Sequence, residues 1–316
     1  MRNDRKISII GAGHVGSHVG SALLAQGLCD QLVYLDTNRP MASAQADDLQ
    51  DMVSFTSRQA RVWAGDYSDL EDAGILVVCA SGPICKEDRL EELEESVRVM
   101  DEIIPPLKAS GFSGVVLVIT NPVDLVARYL AVRLGLPWGR LLGSGTNLDT
   151  ARQVRELSRR TGVAQGSIRG MVLGEHGESQ VSCWSQVSAG GVPIARLMER
   201  DPVWKELDLA QMEDAARAAG WGILCGKGST EFGIGNSAAQ IIQAIQGGEG
   251  RILPVSVPVD GKAGGVFASL PCVLGKNGVE RVLTPALSPE EQERFDRSLA
   301  RMEEYWQTVK ERSEQP

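Results

Sequence analysis

The stretch "VLGEHGESQ", Val172–Gln180, holds His176, one of three histidines in the chain. Gly174 and Gly177 frame it, so the backbone there can turn tightly and a ligand can come close. Imidazole is the side chain that titrates nearest neutrality, which suits it to general acid and base work. Such a histidine needs a carboxylate to fix its tautomer and, for an anionic substrate, a cation close by. "GTNLDTAR", Gly145–Arg152, offers both in Asp149 and Arg152. They are three apart at a helix start and project from one side of it. An acid and a base at that spacing also form ordinary salt bridges, and the spacing leaves both readings open.

A second group with chemistry is "GAGHVG", Gly11–Gly16, which follows an apolar run and opens a helical one. In that setting Gly11 makes the tight turn and Gly13 admits a pyrophosphate to the backbone. Gly16 lets the helix pack on the strand, and the helix N-terminus faces the anion. The next apolar run ends in Asp36, placed to accept hydrogen bonds from the adenosine ribose. Its charge would repel a 2′-phosphate, so the expected cofactor is NAD rather than NADP. His14 and His18 stand four apart, but no H-E-x-x-H pattern surrounds them. They read as solvent or cofactor-edge residues, and no metal site is expected.

The elements that must position these residues alternate through the first half. Lys6–Ile10, Gln31–Asp36, Arg61–Gly65, Ile75–Ala80 and Val115–Thr120 are short β-branched runs. Two of them, "ILVVCA" and "VVLVIT", are apolar nearly throughout, as strands buried on both faces of a parallel sheet are. Helical spacing fits between them, at Val15, Val19 and Leu23 and again through Leu90–Leu107, where Pro105-Pro106 predicts a kink or break. Strand–helix alternation of this kind predicts a doubly wound α/β domain. After Ser144 come helices over Asp149–Thr161, Gln211–Gly226 and Ser229–Gln246. Strands with Gly-rich turns follow between Arg251 and Gly278. A last helix opens on Ser288 as N-cap, with Pro at N1 and acids in its first turn. The expected division is 1–145 for the cofactor and 146–316 for the substrate.

The whole chain has 316 residues, 43% hydrophobic and 23% charged, as a protein with a real core requires. A net charge of -9 argues against nucleic acid as partner. No signal-peptide pattern opens the sequence, and no apolar run reaches the ~18 residues that span a bilayer. The six cysteines are scattered without a C-x-x-C pair, so the expected setting is the reducing cytoplasm, away from membranes.

"GAGHVG", "ITNPVD", "GTNLDTAR", "LGEHGESQ" and "KGSTEFGIG" stand in the order found in the lactate/malate dehydrogenase family. The chain resembles that family over nearly its whole length. It is most similar to the L-2-hydroxyisocaproate dehydrogenase branch. The resemblance implies a Rossmann-type doubly wound parallel sheet followed by an α+β substrate domain, NAD as cofactor, and a homo-oligomer, dimer or tetramer. It implies that His176 gives a proton to the carbonyl oxygen of a 2-oxo acid, with Asp149 holding the imidazole and Arg152 binding the substrate carboxylate. Arg89 would polarise the carbonyl from a mobile loop, about two residues shorter here than in the lactate enzymes. Asn121 would sit near the carbonyl and nicotinamide, Thr230 would line the pocket and Ile234 would pack on the nicotinamide ring. The Asn121–Pro122 bond is expected to be cis by the same resemblance.

For the substrate side chain the loop offers Ile84 and one cation before Arg89, Lys86, beside Glu87 and Asp88. Ala219 and Gly220 are small enough to widen the far wall. Together these predict a bulky hydrophobic 2-oxo acid of the 2-oxo-isocaproate or phenylpyruvate type, with L-lactate or malate dehydrogenase as the alternative. An NAD-dependent glycosidase would need a metal-binding Cys and His that are not found together here. A non-catalytic NAD-binding protein on this scaffold would not need His176, Asp149, Arg152 and Arg89 all intact.

Overall fold

The computed structural model describes residues 2–82 and 89–314, with Arg89, Leu90 and Glu91 described by their backbone. Ile84 and Lys86 lie outside the described residues.

Six strands form a parallel sheet in the first half: β1 (Asn3–Ile10), β2 (Gln31–Leu35), β3 (Arg61–Ala64), β4 (Ala73–Val78), β5 (Val115–Val118) and β6 (Leu141–Gly143). They lie in the order β3-β2-β1-β4-β5-β6, so the chain reverses direction across the sheet between β1 and β4. All residues of β4 and β5 are buried, the property that their unbroken apolar sequences require. Helices α1 (His14–Ala25) and α2 (Arg39–Val53) cover one face. The other face carries α3 (Arg89–Ala109) and α4 (Val123–Leu134).

Pro105 and Pro106 do not break α3, which runs on to Ala109. Ile103, Ile104 and Leu107 are buried there, and their packing holds the turn in helical form despite two missing N–H donors.

The second half begins with α5 (Asn147–Thr161), followed by the two-residue strands β7 (Val172–Leu173) and β8 (Val181–Ser182) that bracket the histidine turn. Helix α6 (Leu209–Lys227) packs on α5, and α7 (Phe232–Gly247) packs on α1. Strands β9 (Arg251–Pro258), β10 (Phe267–Gly275) and β11 (Gly278–Val282) join the first-half sheet rather than form their own. Ser256 of β9 pairs antiparallel with Gly143 of β6, giving nine strands in one sheet. The C-terminal α8 (Pro289–Gln307) has the expected Ser288 cap, with Ser288 and Glu291 completing a capping box. Among the described residues no helix is long and apolar enough to cross a membrane.

Candidate active site

A cleft lies beyond the carboxyl ends of β1 and β4, where the strand order reverses, as in other open α/β sheets. Two cavities of about 550 and 560 Å³ occupy it and share Gly13, Cys79 and Ser81 in their walls. One extends over Asp36 and Arg39; the other reaches His176 in the second half.

The glycines of the turn between β1 and α1 differ in what they do. Gly11 has a φ of +105°, and a Cβ there would lie 2.6 Å from the Ala80 nitrogen. A Cβ on Gly16 would lie 1.9 Å from the Gly11 carbonyl oxygen, so helix and turn touch through it. At Gly13 nothing lies within 4 Å, and the turn stays open on its cleft side. No side chain caps α1 and no acid occupies its first turn. Its exposed N–H groups are therefore available to an anion. The Asp36 carboxylate sits beside this turn and accepts N–H bonds from Ala12 at 2.7 Å and Asn38 at 2.8 Å. Arg39 lines the same cavity and donates to the Gly65 carbonyl. These residues fit a dinucleotide: open backbone for the phosphates, and a carboxylate at the ribose end.

The other cavity gathers residues from both halves. Asn121 follows β5 and precedes a cis bond to Pro122. Its carbonyl accepts a 2.6 Å hydrogen bond from Ser96 of α3. Helix α5 places Asp149 and Arg152 one turn apart, with Arg152 Nη1 donating to Asp149 Oδ1 at 2.9 Å. The other oxygen of Asp149 lies 2.6 Å from His176 Nδ1. One buried carboxylate thus orients both the imidazole and the guanidinium. Burial would raise the pKa of Asp149, but the facing His176 and Arg152 outweigh it and hold the carboxyl below its usual range. The His176 backbone N–H donates to Asp124 Oδ2 across the two halves at 2.8 Å.

Thr230 lies between α6 and α7 and lines the cavity. The wall on α6 is made by Arg217, Gly220, Trp221 and Leu224, one helical face at spacings of three, four and seven. Two expectations are corrected here. Ala219 falls off that face and does not line the cavity. Gly220 does, but a Cβ on it would stand 3.1 Å from Arg152 Nη2, so its smallness makes room for the guanidinium rather than for a substrate side chain. Ile234 is partly buried at the edge of the hydrophobic core, where α7 packs on α1. Ile84 and Lys86 lie outside the described residues, and the Arg89 backbone begins α3.

Asp124, Ser96, Trp221 and Leu224 had no assigned role in the sequence reading. The face on α6 was legible from its spacing. Asp124 stands two residues after Pro122, and its contact with His176 depends on a chain separation of 52 residues, which local pattern does not reveal.

Residues 5–143 match the model of the lactate/malate dehydrogenase NAD binding domain, and residues 146–313 match that of the alpha/beta C-terminal domain of the same enzymes. The chain belongs to the lactate/malate dehydrogenase family. It is an NAD-dependent 2-hydroxyacid oxidoreductase. This dehydrogenase is 36% identical to L-lactate dehydrogenase 3 of Bacillus cereus, over 98% of this chain and 99% of that one. It is also 38% identical to the L-lactate dehydrogenase of Bacillus velezensis, over 94% and 96% of the two chains. Among solved structures, the minor L-lactate dehydrogenase from Enterococcus mundtii, in its ligands-bound form, superposes with a TM-score of 0.92 at 33% identity. That match covers 96% of this dehydrogenase and 98% of the other chain. These relatives carry the lactate name and not that of the hydroxyisocaproate branch.

Proposed function

We propose that this dehydrogenase reduces pyruvate to L-lactate reversibly, with His176 as the proton donor. Bound NADH supplies the hydride that reaches C2 of the 2-oxo acid. Asp149 engages Nδ1 of His176, so the proton given to the carbonyl oxygen is the one on Nε2. The same carboxylate stabilises the imidazolium before transfer and holds the ring afterwards. Arg152, almost fully buried, binds the substrate carboxylate through two parallel N–H groups. Asn121 and Thr230 fix the carbonyl end, and the family resemblance assigns the polarising of the carbonyl to Arg89.

The observation that carries this reading is one buried carboxylate holding an imidazole and a guanidinium against a shared cavity. A small substrate is supported by the relatives' names and by the wall of α6. Trp221 and Leu224 line it, and the space at Gly220 faces Arg152 rather than a substrate side chain. A distal carboxylate finds Arg217, but Glu213 and Asp214 already hold that guanidinium. The division 1–145 for cofactor and 146–316 for substrate, a cytoplasmic setting and a homo-oligomer belong to the same proposal. Initial rates of NADH oxidation with pyruvate, oxaloacetate, 2-oxo-isocaproate and phenylpyruvate test it. Pyruvate should give the highest kcat/KM. A clear preference for 2-oxo-isocaproate or phenylpyruvate would return the bulky-substrate reading, and one for oxaloacetate would make a cation of this cavity the second carboxylate site.

A further inference from the structure

Three consecutive residues of the histidine turn are tied to three different elements. Gly174 exchanges backbone hydrogen bonds with Ser269 of β10 at 3.1 and 2.8 Å. The Glu175 N–H donates to Ser298 Oγ of α8 at 3.0 Å. The His176 N–H donates to Asp124 of α4 at 2.8 Å. The third tie differs in kind, because its acceptor is a carboxylate and it crosses from the half that binds NAD.

Asp124 is 1% exposed and stands in the first turn of α4, just after Asn121 and Pro122. A carboxylate taken out of water is unfavourable unless its oxygens are well paired. Here Oδ2 holds the histidine backbone, and the buried hydroxyl of Ser256 acts on the same carboxyl. The groups that act on it from packed elements are Ser256 of β9 and Glu175 and His176 of the histidine turn. Burial pushes the carboxyl up to about 6 against the pull of Ser256 and the His176 N–H. The attraction between the Asp124 charge and the imidazolium adds to that pull. A neutral acceptor would serve one backbone N–H at less expense. What a carboxylate adds is a negative charge that acts on the catalytic imidazole.

We propose that Asp124 is a positioning residue for His176: from the cofactor-binding half it fixes the histidine backbone, and its buried charge favours the protonated imidazole that reduces the carbonyl. The attraction is reciprocal, so the charge that the imidazolium stabilises also stabilises the imidazolium. Asp149 orients the ring from the second half, and Asp124 anchors the backbone from the first. The histidine is thereby referred to both halves at once. This rests on His176 being the proton donor of the proposed reaction.

Full-length wild type, Asp124→Asn and Asp124→Ala test it. The readouts are kcat and KM for pyruvate across pH, NADH binding by fluorescence, and thermal melting. Asparagine keeps an oxygen for the His176 N–H but removes the charge. It should lower kcat about tenfold, the worth of about one charge-assisted interaction. It should also move the alkaline fall of kcat/KM to lower pH by about half a unit or more. NADH affinity should stay within about twofold, since Asp124 does not line the cavities of the cleft. Alanine should lose more of kcat than asparagine; should it fail to fold, the asparagine variant decides. An asparagine variant with wild-type kcat and an unmoved pH limb overturns the proposal. So does a loss of NADH affinity, kcat and melting temperature together, which marks a merely structural role. A wild type that reduces no 2-oxo acid would remove the underlying reading as well, and that result is distinct from an active wild type with an unaffected variant.

Discussion

Replacing Asp149 with Asn preserves volume and one acceptor oxygen but removes the charge that the imidazole and the guanidinium share. His176 Nδ1 and Arg152 Nη1 approach separate oxygens of Asp149 at 2.6 and 2.9 Å, so the new amide must turn its NH₂ toward one of them. The reaction charges and discharges the imidazole, so the lost attraction falls on the chemical step more than on binding. Unit charges ~4 Å apart at an effective dielectric of 20 attract by about 4 kcal/mol. At about 1.4 kcal/mol per decade, kcat for pyruvate reduction should fall by roughly three orders of magnitude. KM for pyruvate should rise as well, because Arg152 loses its anchor, while NADH affinity should hold. Steady-state rates give both constants, and single-turnover mixing isolates chemistry from product release. Stability supplies a second readout with a defined sign. The carboxyl of Asp149 titrates below its unfolded value of 3.8, so its contribution is present above that value and lost as pH falls through the folded one. The variant should therefore be less stable than wild type at neutral pH, and the gap should narrow as pH falls below 3.8 toward the folded value. A folded Asp149→Asn enzyme within tenfold of wild-type kcat would refute the reasoning.

Asp124 carries the opposite sign. Its carboxyl is raised from 3.8 to about 6, so the folded state loses stability as pH climbs through that window and regains none above it. Asp124→Asn should therefore gain stability relative to wild type as pH climbs through about 6, and not below pH 4, as calorimetry over that range would report. Gly220→Ala brings a Cβ to 3.1 Å from Arg152 Nη2, and displacing that guanidinium should raise KM for pyruvate about three- to tenfold at unchanged NADH affinity; an unaltered KM would show that the arginine yields freely. Asp36→Ser removes the charge opposing a 2′-phosphate and should narrow the preference for NADH over NADPH in kcat/KM, whereas an unchanged ratio would place discrimination on Thr37, Asn38 or Arg39.

The first half was legible in the sequence because its signals are local. Unbroken apolar runs mark β4 and β5, a glycine turn follows β1, and an acid follows β2. In α3 the local signal misled, since buried Ile103, Ile104 and Leu107 override two prolines. The second half was less legible: nothing in "RILPVSVPVDG" says that this strand pairs with Gly143, more than a hundred residues away. Asp149, Arg152 and His176 stood out as candidates by residue type, and it was the family resemblance, not their spacing, that implied one shared site. The pocket wall was misread because the small residues of α6 suggested empty space, whereas the space at Gly220 faces Arg152. Asp124 stayed silent, because a carboxylate in "NPVD" acquires meaning only when the fold brings the histidine turn onto it.

The most direct test of the central claim is pyruvate reduction by wild type and by His176→Ala, with NADH binding measured on the same preparations. Loss of the donor should lower kcat by roughly two to four orders of magnitude. NADH should bind both proteins equally, since the glycine turn and Asp36 lie in the other half. A His176→Ala enzyme that reduces pyruvate at a rate near wild type would contradict the account.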